Sequence, residues 1–405
     1  MPAHGSRLPK SEATRIRLLD CAVQEIADSG PDRVGFTSIA RRAGTSTGAL
    51  YARYENSDEL LVDVWLQRCL PELRRVLAEL ESAVSGENEA AVLSLAARIS
   101  PPDPVLLVTA RLLVAARRND TLWEVVNPSF RETVGPSVAR FPGMPFGLAS
   151  VFGYLIGSVG SGLTNLDWVG PLSFVVRSVP SAQPRPVPRT DYSGKAETPF
   201  EPVGDDIDSR LFRAMSMVIG KVGVERATIS RIARMAGVNP ATIYMRYEDK
   251  DALLDRAVTL IAEMGVSRNR ELIDAFGSAG SVDSGIEAFR GNATDGYVDV
   301  RRLRLETMMA SGCHDRLCAV TRRIYVETAN VDAKRLGMTE AARDPRLMPF
   351  VVFMRFAFFG HALLREYGYL AEDDPHVETL LRDLFGRLGR AAAATVPGNT
   401  QKSTK

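Results

Sequence analysis

The sequence predicts an all-α protein made of two similar helical halves, and three observations carry this prediction. A segment at residues 39–54, IARRAGTSTGALYARY, is repeated in register at residues 232–247 as IARMAGVNPATIYMRY. The stretches that flank each copy place apolar residues at the three- and four-residue spacing of amphipathic helices. A proline-rich stretch at residues 180–204 separates the halves and is typical of a semi-rigid linker with polyproline character.

Each copy of the repeated segment predicts two short helices joined by a tight turn. Gly44 and Gly237 directly follow an apolar helical stripe, where a residue without Cβ most easily takes the left-handed conformation that ends a helix. Asn239 is the candidate cap of the following helix in the second copy, and Ser46 or Thr47 is the candidate in the first. This is the helix-turn-helix pattern.

The second helix of such a pair enters the major groove of DNA. Small residues at its start allow the backbone to approach bases or phosphates closely, and the positive end of its dipole suits an anion. Lys250 follows this helix in the second copy and is a candidate phosphate contact. The candidate DNA contacts are Thr45, Ser46, Thr47, Gly48, Ala49, Tyr51, Tyr54, Thr228, Val238, Asn239, Pro240, Ala241, Thr242, Tyr244, Tyr247 and Lys250.

Both copies resemble the tetracycline-repressor (TetR) family of bacterial regulators. The family pattern is roughly T-x-x-x-I-A-x-x-A-G-[VT]-S-x-G-x-[LI]-Y-x-[HR]-[FY]-x-x-K-[DE]-x-L-[LI], and residues 228–254 match it along most of its length. Residues 39–61 also match, but Gly35 replaces the capping threonine and Ser57 replaces the lysine, which weakens the phosphate contacts expected there. The resemblance implies that each half has a three-helix DNA-binding domain followed by a helical domain for ligand binding and dimerisation.

The similarity of the halves continues beyond the repeated segment. Residues 111–112 correspond to 304–305, and residues 144–146 to 348–350, so each half is a complete helical unit. We expect a disordered arm (1–11), a first DNA-binding domain (12–61), a first helical domain (62–179), the linker (180–204), a second DNA-binding domain (205–254), a second helical domain (255–395) and a disordered tail (396–405). Pro71 should kink or split the helix that begins at Ser57.

The simplest assembly is a pseudodimer formed within one chain. Helices at 145–166 and 172–179 would pack against helices at 347–368 and 375–394, because all four carry apolar faces. Close approach of the helices would be allowed by Gly153, Gly157, Gly160 and Gly162. The alternative is a homodimer of chains with four DNA-binding domains; each such domain (12–61 or 205–254) is called a head below.

The helices after each DNA-binding domain would form the ligand cavity that the resemblance implies. Candidate lining residues are Trp65, Leu112, Trp123, Phe130, Met308, Met309, Tyr325, Met354 and Phe358. His314 and His361 are candidate polar anchors in an apolar pocket. A methionine or aromatic stripe at helical spacing is more often plain core, and a lone histidine is more often a structural group with its hydrogen bonds satisfied.

Composition excludes several classes of function. Lysine and arginine number 50 against 49 acidic residues, so any basic footprint for DNA must be local, for example at Arg7, Lys10, Arg15 and Arg17. The four cysteines form no metal-ligand pattern and are expected to be free thiols, and no catalytic or cofactor motif is present. We therefore expect no enzyme activity, no cofactor and no metal.

The longest apolar runs are interrupted by proline and charged residues, and the N-terminus lacks an apolar signal core. We expect a cytoplasmic protein that does not bind a membrane. Its predicted function is transcriptional regulation, most simply repression relieved by a small apolar effector, at an asymmetric, pseudo-palindromic operator read by two different heads. The alternative is a ligand-binding helical protein in which the first head has lost DNA binding, as Gly35 and Ser57 suggest.

Overall fold

The computed structural model describes residues 10–86, 89–181, 206–276, 298–335 and 348–370, together with Thr379, Arg382 and Asp383. All regular elements in these ranges are helical, as predicted. The first half contains α1 (Lys10–Ser29), α2 (Phe36–Arg42), α3 (Gly48–Tyr51), α4 (Ser57–Val64), α5 (Leu70–Val84), α6 (Glu89–Ile99), α7 (Pro104–Ala116), α8 (Asp120–Arg140), α9 (Met144–Ser161) and α10 (Val169–Ser178). The second half contains α11 (Ile207–Arg226), α12 (Ile229–Ala236), α13 (Pro240–Tyr244), α14 (Lys250–Phe276), α15 (Val298–Ser311), α16 (Asp315–Arg335) and α17 (Met348–Glu366).

Several predicted segments lie partly or wholly outside the described residues: most of the arm, positions 182–204 of the linker, nearly all of the predicted helix at 375–394, and the tail. Helix α1 begins at Lys10, within the last two residues of the expected arm. All four cysteines lie in the described ranges and are free thiols.

The helix that follows the first head is interrupted at Pro71, as predicted. A π-helical turn at Trp65–Cys69 separates α4 from α5. Proline has no N–H, so it cannot bond to the carbonyl four residues earlier, at Gln67. The guanidinium of Arg68 donates to that carbonyl oxygen instead, at 3.1 Å. The second half has no proline at the equivalent place, and α14 runs continuously from Lys250 to Phe276.

The two halves meet along a seam formed by α9 and α17, and glycines allow it to be close. A Cβ placed on Gly153 would lie 2.3 Å from the carbonyl oxygen of Phe356, and one on Gly360 would lie 1.6 Å from that of Ala149. The backbones of the two helices are therefore in direct contact, as small residues permit. Helix α9 ends at Gly162, which has a φ of 67°, so it is shorter than the helix expected to reach residue 166.

The apolar core is shared between the halves. The larger buried cluster contains most of the first half and also Leu305, Met308, Phe356 and Leu363 of the second half. A smaller cluster forms the core of the second head. Helix α9 is long and apolar enough to cross a membrane, but all of its residues are buried inside the protein. It is therefore the central helix of the shared core.

Candidate nucleic-acid interface

The two helix-turn-helix elements end their first helices in the same way but start their second helices differently. Gly44 and Gly237 take positive φ angles of 61° and 64°, as predicted. Asn239 caps α13 by accepting a bond from the N–H of Ala241 at 2.9 Å. Thr47 precedes α3, but its side chain accepts no capping bond from any described residue, so the predicted side-chain cap of α3 is wrong. Backbone bonds close this turn instead.

The second helices, α3 and α13, each present one face to the outside. Leu50 and Ile243 are fully buried and anchor the helices to their heads. Tyr51 and Tyr244 point outward and are 66% and 59% exposed. The remaining small candidates on this face are exposed or half-buried: Thr45, Ser46, Thr47, Gly48, Ala49, Val238, Asn239, Pro240, Ala241 and Thr242. Each head thus offers a surface of small side chains with one outward tyrosine.

Tyr54 and Tyr247 do not belong to this outward face. Helix α3 ends at Tyr51, so Tyr54 lies beyond it, where the chain turns inward. Tyr54 is only 6% exposed, and its hydroxyl donates to Asp63 at 2.7 Å. The expectation that Tyr54 contacts phosphate is therefore wrong. Tyr247 is half-buried and donates to Asp208 at 3.3 Å; burial and this carboxylate raise the pKa of Tyr247 to about 12.

The carboxylates that bond to these two tyrosines lie on different helices, so an acidic and a basic residue have exchanged places between the heads. In the first head, Asp63 on α4 also accepts a bond from Arg15 on α1, at 2.6 Å. The residues at the equivalent positions of the second head are Arg256 on α14 and Asp208 on α11. The acid thus lies on the fourth helix of the first head but on the first helix of the second. Arg15, expected as part of a free basic footprint, is instead held in this ion pair.

Lys250 has a structural contact in addition to its expected role. Its ammonium donates to the carbonyl oxygen of Val224 at 2.9 Å, which ties the start of α14 to α11. An ammonium has three N–H donors, so two remain for a phosphate. Thr228 caps α12, as predicted, by accepting a bond from the N–H of Arg231 at 3.3 Å. Gly35, at the equivalent position, provides no side-chain cap among the described residues.

Two arginines that the sequence interpretation missed complete the outer surface. Arg41 on α2 and Arg234 on α12 occupy equivalent positions of the repeat and are exposed. Neither makes an ion pair with any residue that the structure describes. The signal was available, because both copies begin with the letters IAR. Exposed, unpaired arginines on each head are suited to phosphate contacts.

A buried ionic network joins the two heads. Arg118, two residues after the end of α7, donates to Asp32 in the loop before α2, at 2.6 and 2.8 Å. Arg118 also donates to Glu306 on α15 at 2.8 Å, and Arg117 donates to the same carboxylate at 3.0 Å. Glu306 is only 4% exposed. A carboxylate buried between two guanidinium groups is held in one place, because losing either partner would leave a buried charge uncompensated.

The same network reaches the second head directly. Arg117 donates to the carbonyl oxygen of Gly220 on α11 at 2.6 Å, and Arg33 pairs with Glu225 at 2.9 Å. His314, a candidate ligand anchor, also contacts Glu225. The loop that precedes α2 is therefore connected through α7 and α15 to the C-terminal part of α11, which leads into α12. This connection couples the positions of the two heads.

The candidate ligand-lining residues are packed core residues. Trp65 is fully buried and its Nε1 donates to Ser129 at 2.9 Å. Leu112, Met308 and Met309 are buried. Trp123 and Phe130 pack on Tyr367, and Tyr325 packs on Phe356 and Phe359. Phe358 is half-buried, whereas the side chain of Met354 lies outside the described part. A ligand contact for these residues remains a prediction.

Residues 18–64 and 211–257 match the family model described as bacterial regulatory proteins, tetR family. The chain is similar to the HTH-type transcriptional regulator AqdR of Rhodococcus erythropolis, with 34% identity over 74 residues, which cover 18% of this chain and 36% of that protein. It is also similar to the probable acrEF/envCD operon repressor of Escherichia coli K12, with 35% identity over 72 residues, which cover 17% of this chain and 32% of that protein. The chain thus spans about a third of the length of the curated relatives it matches.

Proposed function

We propose that this chain, which belongs to the tetR family of bacterial regulatory proteins through its two helix-turn-helix domains, is a transcriptional regulator whose two heads bind one DNA operator. One observation carries the proposal: a single chain presents two outward recognition helices, α3 and α13, on heads joined by a shared core and a buried ionic network. This role needs no catalytic chemistry.

The two heads should recognise different half-sites. The start of the first recognition helix offers two threonines, a serine and small residues at positions 45–49, whereas positions 238–242 of the second offer valine, asparagine, proline, alanine and threonine. Serine and threonine hydroxyls can hydrogen-bond to several different bases, whereas valine or alanine favours apolar contact with a thymine methyl group. Asn239 spends its side-chain oxygen on the cap. Since a mismatched base pair costs about 1–3 kcal/mol, the preferred operator is an imperfect palindrome.

Phosphate contacts would come from local cations, because the net charge of the chain is only +1. Arg41 and Arg234 are the symmetric pair, and Lys250 adds a contact on the second head alone. Lys250→Ala should weaken binding to all DNA sequences alike and lower the salt dependence, log K against log[salt], by about one unit. Operator affinity and salt dependence equal to wild type would show that Lys250 only ties α14 to α11.

The seam between α9 and α17 would replace the interface between two subunits. One chain would then bind one operator without a dimerisation step. A homodimer of chains with four heads is the competing assembly, and the mass of the complex with DNA distinguishes the two. A small apolar effector would release DNA by changing the separation of the heads through α4, α5 and α14, with a coupling energy of about 1–3 kcal/mol. Repression is the simplest outcome of such release.

A second candidate function follows from the first head. Gly35 provides no cap to α2, and Ser57 stands where the second head has Lys250. In this alternative the chain is a ligand-binding helical protein in which only the second head binds DNA. Gly35 has an extended backbone, and a Cβ there would approach only Ser38, at 3.9 Å. The variant Gly35→Thr should therefore be tolerated by the fold and should supply the missing cap.

In vitro selection of binding sites from random DNA, followed by footprinting, tests the proposal. Two unlike half-sites, both protected by one chain, are the expected result. A perfect palindrome protected symmetrically by two chains would overturn the single-chain arrangement. A single protected half-site that becomes two in the Gly35→Thr variant would favour the second candidate function.

A further inference from the structure

A tyrosine of the second half is inserted into the helical domain of the first half. Tyr367 follows the end of α17 and is 1% exposed. Its ring centroid lies 4.5 Å from that of Phe130 and 5.2 Å from that of Trp123, both on α8. Its hydroxyl donates to the carbonyl oxygen of Leu113 on α7, at 2.7 Å. Two helices of the first half therefore contact this side chain of the second half: α8 packs against its ring, and α7 accepts a hydrogen bond from its hydroxyl.

The acceptor of this hydrogen bond is specific. Leu113 lies in the last turn of α7, which ends at Ala116. The last four carbonyl groups of a helix lack N–H partners within the helix, and the negative end of the helix dipole favours a donor. A carbonyl oxygen accepts a bond only from a group that carries a hydrogen, so the slot requires the neutral, protonated phenol. Burial raises the pKa of Tyr367 well above its usual value, consistent with this form.

The turn that carries Tyr367 combines a glycine helix C-cap with one uncommon backbone angle. Gly368 has a φ of 84°, and Leu370, which has a branched side chain, has a φ of 58°. Such angles are costly for residues other than glycine and persist where the surrounding structure imposes them. Gly368 closes α17 as an ordinary helix C-cap, because its N–H donates to Arg365 at 3.0 Å and the N–H of Tyr369 donates to Leu364 at 3.1 Å. Leu370 is only 4% exposed. Its positive φ is thus imposed by its buried surroundings, whereas that of Gly368 follows local preference.

We propose that α7 and α8 of the first half form a binding site for a neutral phenol with a small para substituent, and that Tyr367 is its tethered occupant. The apolar walls are the rings of Trp123 and Phe130, tilted by 41° and 44° to the ring of Tyr367. The polar end is the Leu113 carbonyl, and the para position faces the backbone of the second half. A tethered side chain has an effective concentration in the millimolar range or above. Free phenols at micromolar concentration therefore do not displace it from the intact chain.

One consequence rests on the function proposed above. If the chain is an effector-responsive regulator, the first half is held in its occupied arrangement at all times, and only the second half is open to a free effector. The binding site itself does not depend on that function, because it is defined by contacts within the helical domains.

The test uses the full chain with Tyr367→Ala and p-cresol, which carries the phenol ring that this substitution removes and a small para substituent. We expect Tyr367→Ala to lower the melting temperature, p-cresol to bind it at one equivalent by calorimetry, and p-cresol to restore part of the lost melting temperature. Toluene has the same shape without the hydroxyl and should bind at least about tenfold more weakly, since it leaves the carbonyl unpaired. Wild type should bind no p-cresol at micromolar concentration, because Tyr367 occupies the site.

Tyr369→Ala is the matched control. Tyr369 lies in the same turn, but it is half-buried and its ring centroid is 6.2 Å from that of Phe130. Its removal should create no site for p-cresol. A folded Tyr367→Ala chain that binds no p-cresol overturns the proposal, and so does equal affinity for toluene and p-cresol.

If Tyr367→Ala does not fold alone, refolding in the presence of p-cresol replaces the titration. Recovery of folded chain with p-cresol but not with toluene supports the site, and no recovery with either overturns it. Operator binding is measured separately on wild type. Absence of DNA binding by wild type would refute the proposed function and leave the phenol site standing. Absence of phenol binding by the variant would refute the site and leave the proposed DNA function standing.

Discussion

The variant Gly360→Ala tests the close seam between the halves. In the structure a Cβ at this position would lie 1.6 Å from the carbonyl oxygen of Ala149 and 2.8 Å from the amide nitrogen of Gly153. Both neighbours are backbone atoms of a fully buried helix, so no side chain can rotate away to make room. The added methyl group must therefore push α17 away from α9.

The size of the effect follows from this geometry. Ordinary contact between heavy atoms needs roughly 3.5 Å, so the helices would have to separate locally by about 2 Å. Overpacking of a core typically costs about 1–3 kcal/mol, and a backbone clash belongs at the upper end or beyond. Alanine regains about 1 kcal/mol of helix propensity over glycine. We therefore expect a net loss of about 2 kcal/mol or more in the free energy of unfolding.

Gly147→Ala is the matched control on the opposite helix. Gly147 is also a buried glycine of α9, but a Cβ there would meet only side-chain atoms of Val179 and Leu80, at 3.6 and 3.8 Å. This is ordinary van der Waals contact, so the substitution should be neutral or stabilising, by up to about 1 kcal/mol. The same chemical change is thus expected to destabilise the protein in α17 and not in α9.

Tryptophan fluorescence during thermal unfolding measures this contrast. All three tryptophans, Trp65, Trp123 and Trp168, lie in the first half, and the ring of Trp168 is 5.9 Å from that of Phe356 at the seam. For a folded unit of about 150–250 residues, a loss of about 1 kcal/mol in the free energy of unfolding lowers the melting temperature by about 2–4 °C. Gly360→Ala should therefore unfold at least about 4 °C below wild type. Equal melting temperatures for Gly360→Ala and wild type would refute the close backbone packing.

Three further results are expected. Arg41→Gln and Arg234→Gln should each reduce the slope of log K for DNA against log[salt] by about 0.9, and an unchanged slope would remove that arginine from the interface. Glu306→Ala should cost about 3–5 kcal/mol in urea unfolding, because it removes the ion-pair partner of the buried Arg117 and leaves Arg118 with Asp32 alone. It should cost less in an Arg118→Ala background, where Glu306 has already lost one of its two partners, so strictly additive losses would disprove the coupling. Burial, and then nearby arginines, lower the pKa of His361 to about 3. Since an unfolded histidine titrates near about 6.5, the contribution of His361 to stability is complete above that pH and is lost as the pH falls towards 3. His361→Gln should flatten this acid dependence, and a variant that retains the full slope would contradict the assignment.

The sequence predicted the features that depend on local chemistry. The left-handed conformations of Gly44 and Gly237, the caps at Thr228 and Asn239, and the break at Pro71 were all predictable, because each depends on residues within a few positions of the feature. The close seam was indicated by glycines at helical spacing. These predictions needed no information about distant partners.

The remaining features depend on contacts between distant parts of the chain. Tyr54 matches the repeated segment as well as Tyr51 does, but only the position of Asp63 on another helix shows that it faces inward. The bond from Tyr367 to Leu113 joins residues 254 positions apart. Spacing along one helix cannot indicate such a pairing. Arg41 and Arg234 are a different case, since the repeat did mark them and only their exposure was missing.

The swapped positions of the acidic and basic residues in the two heads bear on how a chain with two similar halves folds. Tandem repeats are prone to misassembly in which an element of one unit docks on the other. Here, a first helix docked on the wrong head would place Arg15 beside Arg256, or Asp208 beside Asp63. Either error brings like charges together next to a half-buried or buried tyrosine. The opposite charges at these equivalent positions of the two heads thus disfavour mispairing during folding, and each first helix is matched to its own head.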